Sequence, residues 1–324
     1  MQACKAAVII PSYKVTRHVL DVIRNIGPEI GKIYVVDDCC PDHSGQFVLD
    51  NNTDSRVSVL FNPVNKGVGG ATKRGYVEAL KDGMDIAIKV DGDGQMDPRL
   101  IPKFIKPIRD GRADYTKGNR FFSFEHVSRM PKIRLLGNAA LTFFTKASSG
   151  YWNIFDPNNG FTAINRQALS MLPLEKIHDR YFFESDMLFR LNSIRAVVMD
   201  VPMTAVYEDE ESGLRIKDIL MLFLKGHIRN FCKRIVYNYF LRDFTIASLE
   251  LLVGTSFLLF GFIYGGIHWT RSIVLQNVAP SGVVMLAGLT VIVGTQLLLS
   301  VFNYDVQNTP KTPISTFDAD QPEN

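Results

Sequence analysis

The fold is decided by the stretch IAIKVDGDGQ at residues 86–95. Its first half, Ile86–Val90, is an apolar run typical of a buried strand, and Asp91 and Asp93 follow where the strand gives way to a loop. Two carboxylates at this spacing can reach one divalent cation, and oxygen ligands select a hard ion such as Mg²⁺ or Mn²⁺. Such an ion usually completes its coordination shell with substrate phosphates. The stretch therefore predicts a strand that leads into a metal–phosphate site.

Earlier runs in the chain are also typical of strands, and helical patterns alternate with them. The strand-like runs are Ala6–Ile10, Ile33–Val36 and Val57–Phe61, while Val19–Ile26 and Gly69–Lys81 have helical spacing. Strands that alternate with helices predict an α/β fold with a mainly parallel sheet, whose ligand crevice lies at the carboxyl ends of the strands.

Each predicted strand is followed by polar or glycine-rich sequence. These segments are PSY at 11–13, DD at 37–38, NKGVGGA at 65–71 and DGDGQ at 91–95. Because the carboxyl ends of parallel strands meet at one edge of a sheet, we expect the four segments to form one nucleotide site. The carboxylates of Asp37 and Asp38 suit a ribose diol or a base N–H, although the same residues are good turn formers.

Two of these segments do not match the patterns of well-known ligand-binding loops. Residues 65–71 lack the Walker pattern and follow the third strand rather than the first, so the dinucleotide fingerprint fails as well. Their glycines predict a close backbone approach ahead of a helix whose N-terminus favours an anion. A calcium EF-hand starting at Asp91 needs Gly at position six and Glu at position twelve, where the chain has Met96 and Pro102.

The composition of the chain limits the classes of protein to which it can belong. With 324 residues and a formal net charge of +3, it implies no nucleic-acid partner. The four cysteines form no CxxC pair, which suits a reducing compartment, and we expect the vicinal Cys39 and Cys40 to be small buried residues rather than a redox pair. The N-terminus runs directly into a strand, so we expect no signal peptide.

Two long apolar stretches lie near the C-terminus. Phe244–Ile267 has Glu250 as its single charged residue, and Ala279–Phe302 has none. Each exceeds the roughly 20 apolar residues that a membrane-spanning helix needs, so we expect two spans. An ionisable residue inside a span is functional by default, although packing between subunits also explains Glu250.

A basic amphipathic segment precedes the spans. Apolar residues recur at helical spacing in 216–241, and Lys217, Lys225, Arg229 and Lys233 occupy another face. This pattern predicts a helix in the membrane interface, with packing on its own domain or a sister subunit as the alternative. Basic residues are frequent before the first span, whereas the short connection carries only Arg271, so we expect the N-terminal domain and both termini in the cytoplasm.

The four segments, in this order and spacing, resemble the family 2 glycosyltransferases, particularly the branch of dolichol-phosphate mannose synthase and bacterial polyprenyl-phosphate glycosyltransferases. The similarity continues through KGNRF at 117–121 and DPNNGF at 156–161, and it covers roughly residues 5–215. It implies a GT-A fold, Rossmann-like with a mainly parallel sheet, for residues 1–215. We expect an amphipathic juxtamembrane helix at 216–241, two transmembrane helices within 242–304 and a disordered cytoplasmic tail at 305–324.

The resemblance also implies roles for individual residues. The nucleotide-sugar pocket would be lined by Pro11, Tyr13, Asp37, Asp38, Lys66, Asp91 and Asp156. Mg²⁺ or Mn²⁺ would be held against the donor diphosphate by Asp91, Asp93 and Gln95. The acceptor phosphate would face Arg120, with Arg134 and Arg215 as further candidates. The segments around the last two, residues 123–131 and 208–215, depart from the family's pattern.

Glu184 and Asp186 are the candidates for a catalytic base. Transfer to a sugar hydroxyl needs a base within hydrogen-bond reach, whereas a phosphate acceptor is already an anion. With a phosphate acceptor, the two carboxylates would orient a substrate or cap a helix. The catalytic candidates are therefore Asp93, Arg120, Glu184 and Asp186.

These observations predict an inverting, metal-dependent transferase that moves a sugar from a UDP- or GDP-linked donor to polyprenyl (undecaprenyl) phosphate at the cytoplasmic membrane face. One alternative is a transferase of the same fold that glycosylates a hydroxyl of a lipid-linked or nascent glycan. Another is a non-catalytic membrane scaffold, which the intact Asp91, Asp93 and Gln95 set disfavours. The expected partners are the donor, the lipid acceptor and the bilayer, and homo-oligomerisation is left open.

Overall fold

The computed structural model describes residues 4–122, 132–203 and 216–318, with side chains in the same ranges except 132–136, 216–220 and 317–318. Two compact units divide the chain. The first lies within Met1–Phe231 and Pro310–Asn324, and the second is Cys232–Thr309.

The first unit alternates strands and helices as predicted. Its strands are β1 (Ala6–Ser12), β2 (Lys32–Asp37), β3 (Val57–Phe61), β4 (Ile86–Lys89), β5 (Tyr115–Asn119), β6 (Thr162–Asn165) and β7 (Val198–Pro202). Its helices, up to the one that leads into the second unit, are α1 (Val19–Arg24), α2 (Ser44–Asn51), α3 (Val68–Lys81), α4 (Ile101–Arg109), α5 (Lys132–Ser149), α6 (Arg166–Met171), α7 (Phe183–Ser193) and α8 (Ile216–Val236). Short 3₁₀ turns lie at Pro98–Leu100 and Leu174–Lys176.

The strands form one sheet in the order β3-β2-β1-β4-β6-β5-β7. The pairs β1–β2, β2–β3, β1–β4 and β5–β7 are parallel, whereas β6 is antiparallel to both of its neighbours. The predicted mainly parallel α/β fold is therefore confirmed. Because β1, β2 and β4 run side by side in one direction, the loops after them meet at one edge of the sheet.

Both faces of the sheet are buried. Along β1, Ala7 and Ile9 belong to one apolar cluster, while Val8 and Ile10 belong to another on the opposite side. This alternation follows from the two-residue period of a strand. A sheet covered on both faces explains why the strands are continuous apolar runs in the sequence.

Helix α8 has two different faces in the first unit. Phe223, His227 and Asn230 are buried, and a Cβ on Gly226 would lie 2.6 Å from the ring of Phe182. This face packs on the rest of the first unit, which was the alternative interpretation of the amphipathic segment. Five other apolar residues of the helix are exposed, namely Met221, Leu222, Leu224, Ile228 and Phe231.

The second unit contains a helical hairpin. After a π-helical segment at Tyr237–Arg242 come α9 (Ile246–Leu275) and α10 (Ser281–Gln307), both long and apolar enough to span a membrane. Glycines let the two helices approach closely, since a Cβ on Gly294 would lie 2.9 Å from the carbonyl oxygen of Gly254. Glu250 accepts a hydrogen bond from Ser300 Oγ at 2.8 Å.

The structure differs from the predicted tail and domain limits. Asp305 belongs to α10 and binds Arg234 at 2.5 and 3.0 Å within the second unit. Pro310 onward belongs to the first unit, where Ile314 joins an apolar cluster and donates its N–H to the buried carboxylate of Asp114 at 3.0 Å. This part of the predicted tail therefore packs on the first unit, where it supplies hydrogen-bond donors that a buried carboxylate needs. A tail defined by composition alone misses such a contact.

Candidate active site

A cavity of about 940 Å³ lies at the carboxyl ends of β1, β2 and β4. It brings together five of the predicted residues, namely Pro11, Tyr13, Asp38, Asp91 and Asp93. Tyr13 is about half exposed and offers a ring face for stacking on a planar ligand. The edge of the sheet on which four sequence segments were expected to converge is therefore a single concave site.

The two carboxylates after β2 have different surroundings. The Asp37 carboxylate accepts N–H groups of Cys40 at 2.8 Å and Gly45 at 2.6 Å, so it fixes the turn into α2. The Asp38 carboxylate accepts N–H groups of Lys66 at 2.9 Å and Gly67 at 2.6 Å, which ties β2 to the glycine-rich segment. Among the described side chains, that of Asp38 lines the cavity and that of Asp37 does not. Asp37 therefore acts as a turn former, which was the alternative interpretation for this pair of residues.

The glycine-rich segment is packed against protein. A Cβ on Gly67 would lie 2.8 Å from Arg180 Cγ, and one on Gly69 would lie 2.6 Å from the carbonyl oxygen of His178. Gly67 also has a φ of +86°, which favours glycine. The predicted close approach exists, and the partner is the segment before α7. The exposed side chain of Lys66 lines a separate groove rather than the cavity.

Lys89, at the end of β4, connects two carboxylates of the site. Its Nζ lies 2.7 Å from Asp91 Oδ1 and 3.3 Å from Glu184 Oε1, and it donates to the carbonyl oxygen of Gly160 at 3.2 Å. Burial alone would lower the pKa of Lys89, but the carboxylates of Asp91 and Glu184 raise it above its ordinary value. Burial raises the pKa of Glu184, which the ammonium group of Lys89 opposes. Lys89 is therefore a buried cation that the sequence interpretation missed.

The donor atoms around Asp91 and Asp93 fit a divalent cation that is shared with a ligand. Both carboxylates line the cavity, and Asp93 Oδ1 accepts the N–H of Gln95 at 3.0 Å. Within the described residues, no cluster of three or more His, Cys, Asp or Glu side chains could hold a metal. Mg²⁺ commonly binds through one or two carboxylates and takes its other ligands from phosphates and water. Two carboxylates that line one open cavity suit that mode.

Arg120, which is partly exposed, forms an ion pair with the buried carboxylate of Asp156. The guanidinium donates from Nε at 2.7 Å and from Nη2 at 2.8 Å, so the contact is bidentate. Burial alone would raise the pKa of Asp156, but the hydrogen bonds from Arg120 hold it below its ordinary value. Asp156 has a φ of +47°, and Lys117 fixes this backbone by donating to the carbonyl oxygens of Phe155 and Asp156 at 2.8 and 2.5 Å. The structure thus gives Asp156 the role of orienting Arg120.

Glu184 and Asp186 are separated by the geometry of α7. Glu184 contacts Lys89 at the site, whereas Asp186 accepts hydrogen bonds from His178 N at 2.9 Å and Asn230 Nδ2 at 2.8 Å. Residues two apart on a helix point in different directions, so the two carboxylates cannot act on one substrate group. Asp186 therefore holds α8 and the preceding loop in place.

Two predicted acceptor residues fall outside this description. Arg134 lies in the first turn of α5, but its side chain is not among those described, and Arg215 lies outside the described residues. The cavity contains three further basic residues that the motifs did not single out: Lys14, His18 and Arg180. Their signal in the sequence was weak because they lie in loops, between recognisable segments.

The family described as Glycosyl transferase family 2 matches residues 7–172. UDP-N-acetylglucosamine–dolichyl-phosphate N-acetylglucosaminyltransferase of Methanococcus voltae is 29% identical over 215 residues, which cover 62% of this chain and 85% of that protein. Undecaprenyl-phosphate mannosyltransferase of Micrococcus luteus is 29% identical over 203 residues, which cover 61% and 82%.

A solved structure resembles this fold. Glucosyl-3-phosphoglycerate synthase from Mycobacterium tuberculosis, in complex with Mn²⁺, UDP and phosphoglyceric acid, has a TM-score of 0.52 at 18% identity. The match covers 71% of this chain and 78% of that chain. At this identity the similarity supports the GT-A fold.

Proposed function

This chain belongs to glycosyl transferase family 2, and we propose that it transfers a sugar from a nucleotide-diphosphate donor to a polyprenyl phosphate. The observation that carries the proposal is the cavity that holds Asp91 and Asp93 beside Lys89, in a chain that also has an apolar helical hairpin. Relatives whose names state a dolichyl-phosphate or undecaprenyl-phosphate acceptor support it.

The residues that line the cavity would hold different parts of the donor. Pro11, Tyr13 and Asp38 would surround the nucleoside, with Tyr13 stacking on the base and Asp38 ordering the loop beneath it. Asp91 and Asp93, with Gln95 as the expected third ligand, would hold Mg²⁺ or Mn²⁺. The bound ion would neutralise the charge that develops on the leaving nucleoside diphosphate. Lys14 and Arg180 add positive charge around the same anion.

The acceptor side begins at Arg120. Asp156 fixes the plane of the guanidinium, so Arg120 can present N–H donors to an anionic oxygen in a fixed orientation. Next to this pair, Phe155 is half exposed and Lys146 Nζ lies 4.2 Å above its ring. An exposed aromatic surface beside an arginine suits a lipid with an anionic head. Arg134 and Arg215 remain proposed acceptor residues on the basis of the family resemblance alone.

In the proposed reaction, a phosphate oxygen of the lipid forms a bond to the anomeric carbon while the bond from that carbon to the donor diphosphate breaks. Attack opposite to the leaving group inverts the anomeric centre. The phosphate is already an anion, so no residue has to remove a proton. Glu184 would then orient the sugar or the acceptor.

The chain's path supports a membrane-bound arrangement. The polypeptide leaves the first unit before α9 and rejoins it at Pro310, after two helices that could span a bilayer. Two spans return the chain to the side from which it started. We propose that this side is the cytoplasm, because Lys225, Arg229 and Lys233 are exposed ahead of the spans. The exposed apolar face of α8 would rest on the bilayer surface.

A hydroxyl acceptor is the second candidate, favoured by one observation. Glu184 keeps 13% of its side chain exposed beside Asp91, where a general base would be needed. Glu184→Gln separates the two reactions. Loss of turnover with retained donor binding would favour a hydroxyl acceptor, whereas substantial residual turnover supports the phosphate.

The test of the function is direct. The purified full chain is incubated with polyprenyl phosphate and a panel of radiolabelled UDP- and GDP-sugars, with and without EDTA. We expect one donor to label the lipid phosphate in a metal-dependent reaction that Asp91→Asn abolishes. No transfer from any donor to the lipid, with transfer to a lipid-linked glycan instead, would refute the proposed acceptor.

A further inference from the structure

Lys89 occupies an unusual position for a lysine. Its side chain is 1% exposed, and its three hydrogen-bond donors meet Asp91 Oδ1, Glu184 Oε1 and the carbonyl oxygen of Gly160. A lysine ammonium has three donors, so this one is fully used inside the protein. Lys89 therefore has no hydrogen-bonding capacity left to bind a substrate directly, and its effect must act through these partners.

The ammonium group fills the space between two carboxylates. The oxygens of Asp91 and Glu184 both lie within 3.3 Å of Nζ, so they are no more than about 6 Å from each other. Asp93 lines the same cavity as Asp91. With the lysine removed, the carboxylates of Asp91 and Glu184 would be left without the cation between them, and carboxylate oxygens bind hard divalent cations well.

We propose that Lys89 is an internal cation that keeps Glu184 out of the metal shell, so that the ion is held by Asp91 and Asp93 and requires the donor phosphates to bind firmly. The proposal deepens the proposed function and rests on its assignment of Asp91 and Asp93 as metal ligands. It gives the neighbouring carboxylates separate tasks, since Asp91 faces the metal while Glu184 stays available to a substrate.

Gly160 preserves this arrangement. A Cβ at this position would lie 2.5 Å from Asp91 Oδ2 and 2.5 Å from Lys89 Nζ, so only glycine lets the chain pass this close. Its carbonyl oxygen is also the third acceptor for Lys89. The lysine is thus held by the backbone as well as by charge.

The test measures the binding of Mn²⁺ alone by electron paramagnetic resonance, with the metal-stripped full chain in detergent and no nucleotide. The three carboxylates and Lys89 carry a net charge of −2, which becomes −3 in Lys89→Met. We expect this variant to bind Mn²⁺ at least about tenfold more tightly than the wild type, because one positive charge is removed from the site. The double variant Lys89→Met/Glu184→Gln should return close to wild-type affinity.

Two further variants make the result interpretable. Lys117→Met also removes a lysine that is 1% exposed, but one that binds the carbonyl oxygens of Phe155 and Asp156, so Mn²⁺ affinity should stay near wild type. Lys89→Gln removes the same charge as Lys89→Met but keeps a polar side chain beside the carbonyl oxygen of Gly160, so it should also bind Mn²⁺ more tightly than the wild type. A lysine with a merely structural role would give weaker Mn²⁺ binding when it is removed.

Equal or weaker Mn²⁺ binding by Lys89→Met would overturn the proposal. So would equal or weaker binding by Lys89→Gln, and this variant decides the matter if Lys89→Met does not fold. The measurement needs neither donor nor lipid. A negative outcome therefore leaves the proposed transfer reaction standing, and failure of the transfer assay does not affect the Mn²⁺ result.

Discussion

His227 is a buried histidine of the first unit, and its surroundings predict how stability changes with pH. The residue is 3% exposed, and its ring packs against Phe182 and Phe223 at centroid distances of 5.0 and 6.0 Å. Nδ1 lies 2.8 Å from Ser148 Oγ, while Nε2 is buried without a hydrogen-bond partner among the described residues. A protonated ring would therefore place an unsatisfied charged donor in apolar surroundings.

Burial lowers the pKa of His227 from 6.5 to about 4. Above pH 6.5 the imidazole is neutral in the folded and the unfolded chain, so it adds nothing to the pH dependence. Below pH 6.5 the unfolded chain takes up the proton first, and stability falls until the folded protein is protonated near pH 4. Between pH 8 and pH 5 this loss amounts to about 2 kcal/mol, and it approaches about 3 kcal/mol below pH 4.

The substitution His227→Phe keeps a flat apolar ring in the same space and removes the titration. Thermal unfolding of the full chain in detergent is followed at pH 8 and pH 5 for both proteins. We expect the Tm of the wild type to fall by about 4–8 °C more than that of the variant, at 2–4 °C for each kcal/mol in a unit of this size. Ser148→Ala keeps the histidine and should retain the wild-type pH dependence. Equal decreases in Tm for the wild type and His227→Phe would refute the reasoning.

Three further substitutions test the packing of the site and its supports. Gly160→Ala should lower kcat by about 100-fold because its Cβ displaces Asp91, whereas Gly137→Ala, which has nothing within 4 Å, should leave kcat unchanged. Asp186→Asn should lower the free energy of unfolding by about 1–3 kcal/mol, as measured by denaturation. The folded variant should keep its affinity for the donor, as measured by calorimetry. Loss of donor binding would contradict the supporting role of Asp186. Ile314→Ala should cost about 2 kcal/mol by creating a cavity, and an unchanged Tm would show that the C-terminal segment does not support the first unit.

The strands and the edge that carries the site follow from local sequence. The predicted runs Ala6–Ile10, Val57–Phe61 and Ile86–Val90 lie within a residue or two of the observed strands. They were predictable because a strand buried on both faces is a continuous apolar run that ends where the polar loop begins. The carboxylates of Asp38, Asp91 and Asp93 reach one cavity for the same reason, since parallel strands deliver their ends to one edge.

Other features depend on contacts between distant parts of the chain. In the sequence, Lys89 resembles an exposed residue within an apolar strand. In the structure its side chain is buried and contacts Glu184, which is 95 positions away. Asp37 and Asp38 are adjacent and chemically identical, yet their carboxylates accept hydrogen bonds from different N–H groups. The tail after Asn308 has the composition of a disordered segment, but Ile314 donates its N–H to a buried carboxylate 200 positions earlier in the chain. Pattern and propensity carry no information about such partners.

The segment 155–160 connects the ion pair of Arg120 and Asp156 to the carboxylate of Asp91. Two buried lysines hold its ends, because Lys117 binds the carbonyl oxygens of Phe155 and Asp156, and Lys89 binds that of Gly160. At one end the segment orients Arg120 through Asp156, and at the other its glycine abuts the carboxylate of Asp91. A shift of this segment would therefore move the groups on both sides together. The motif DPNNGF therefore couples these two groups through packing, although it contributes no metal ligand to the expected set.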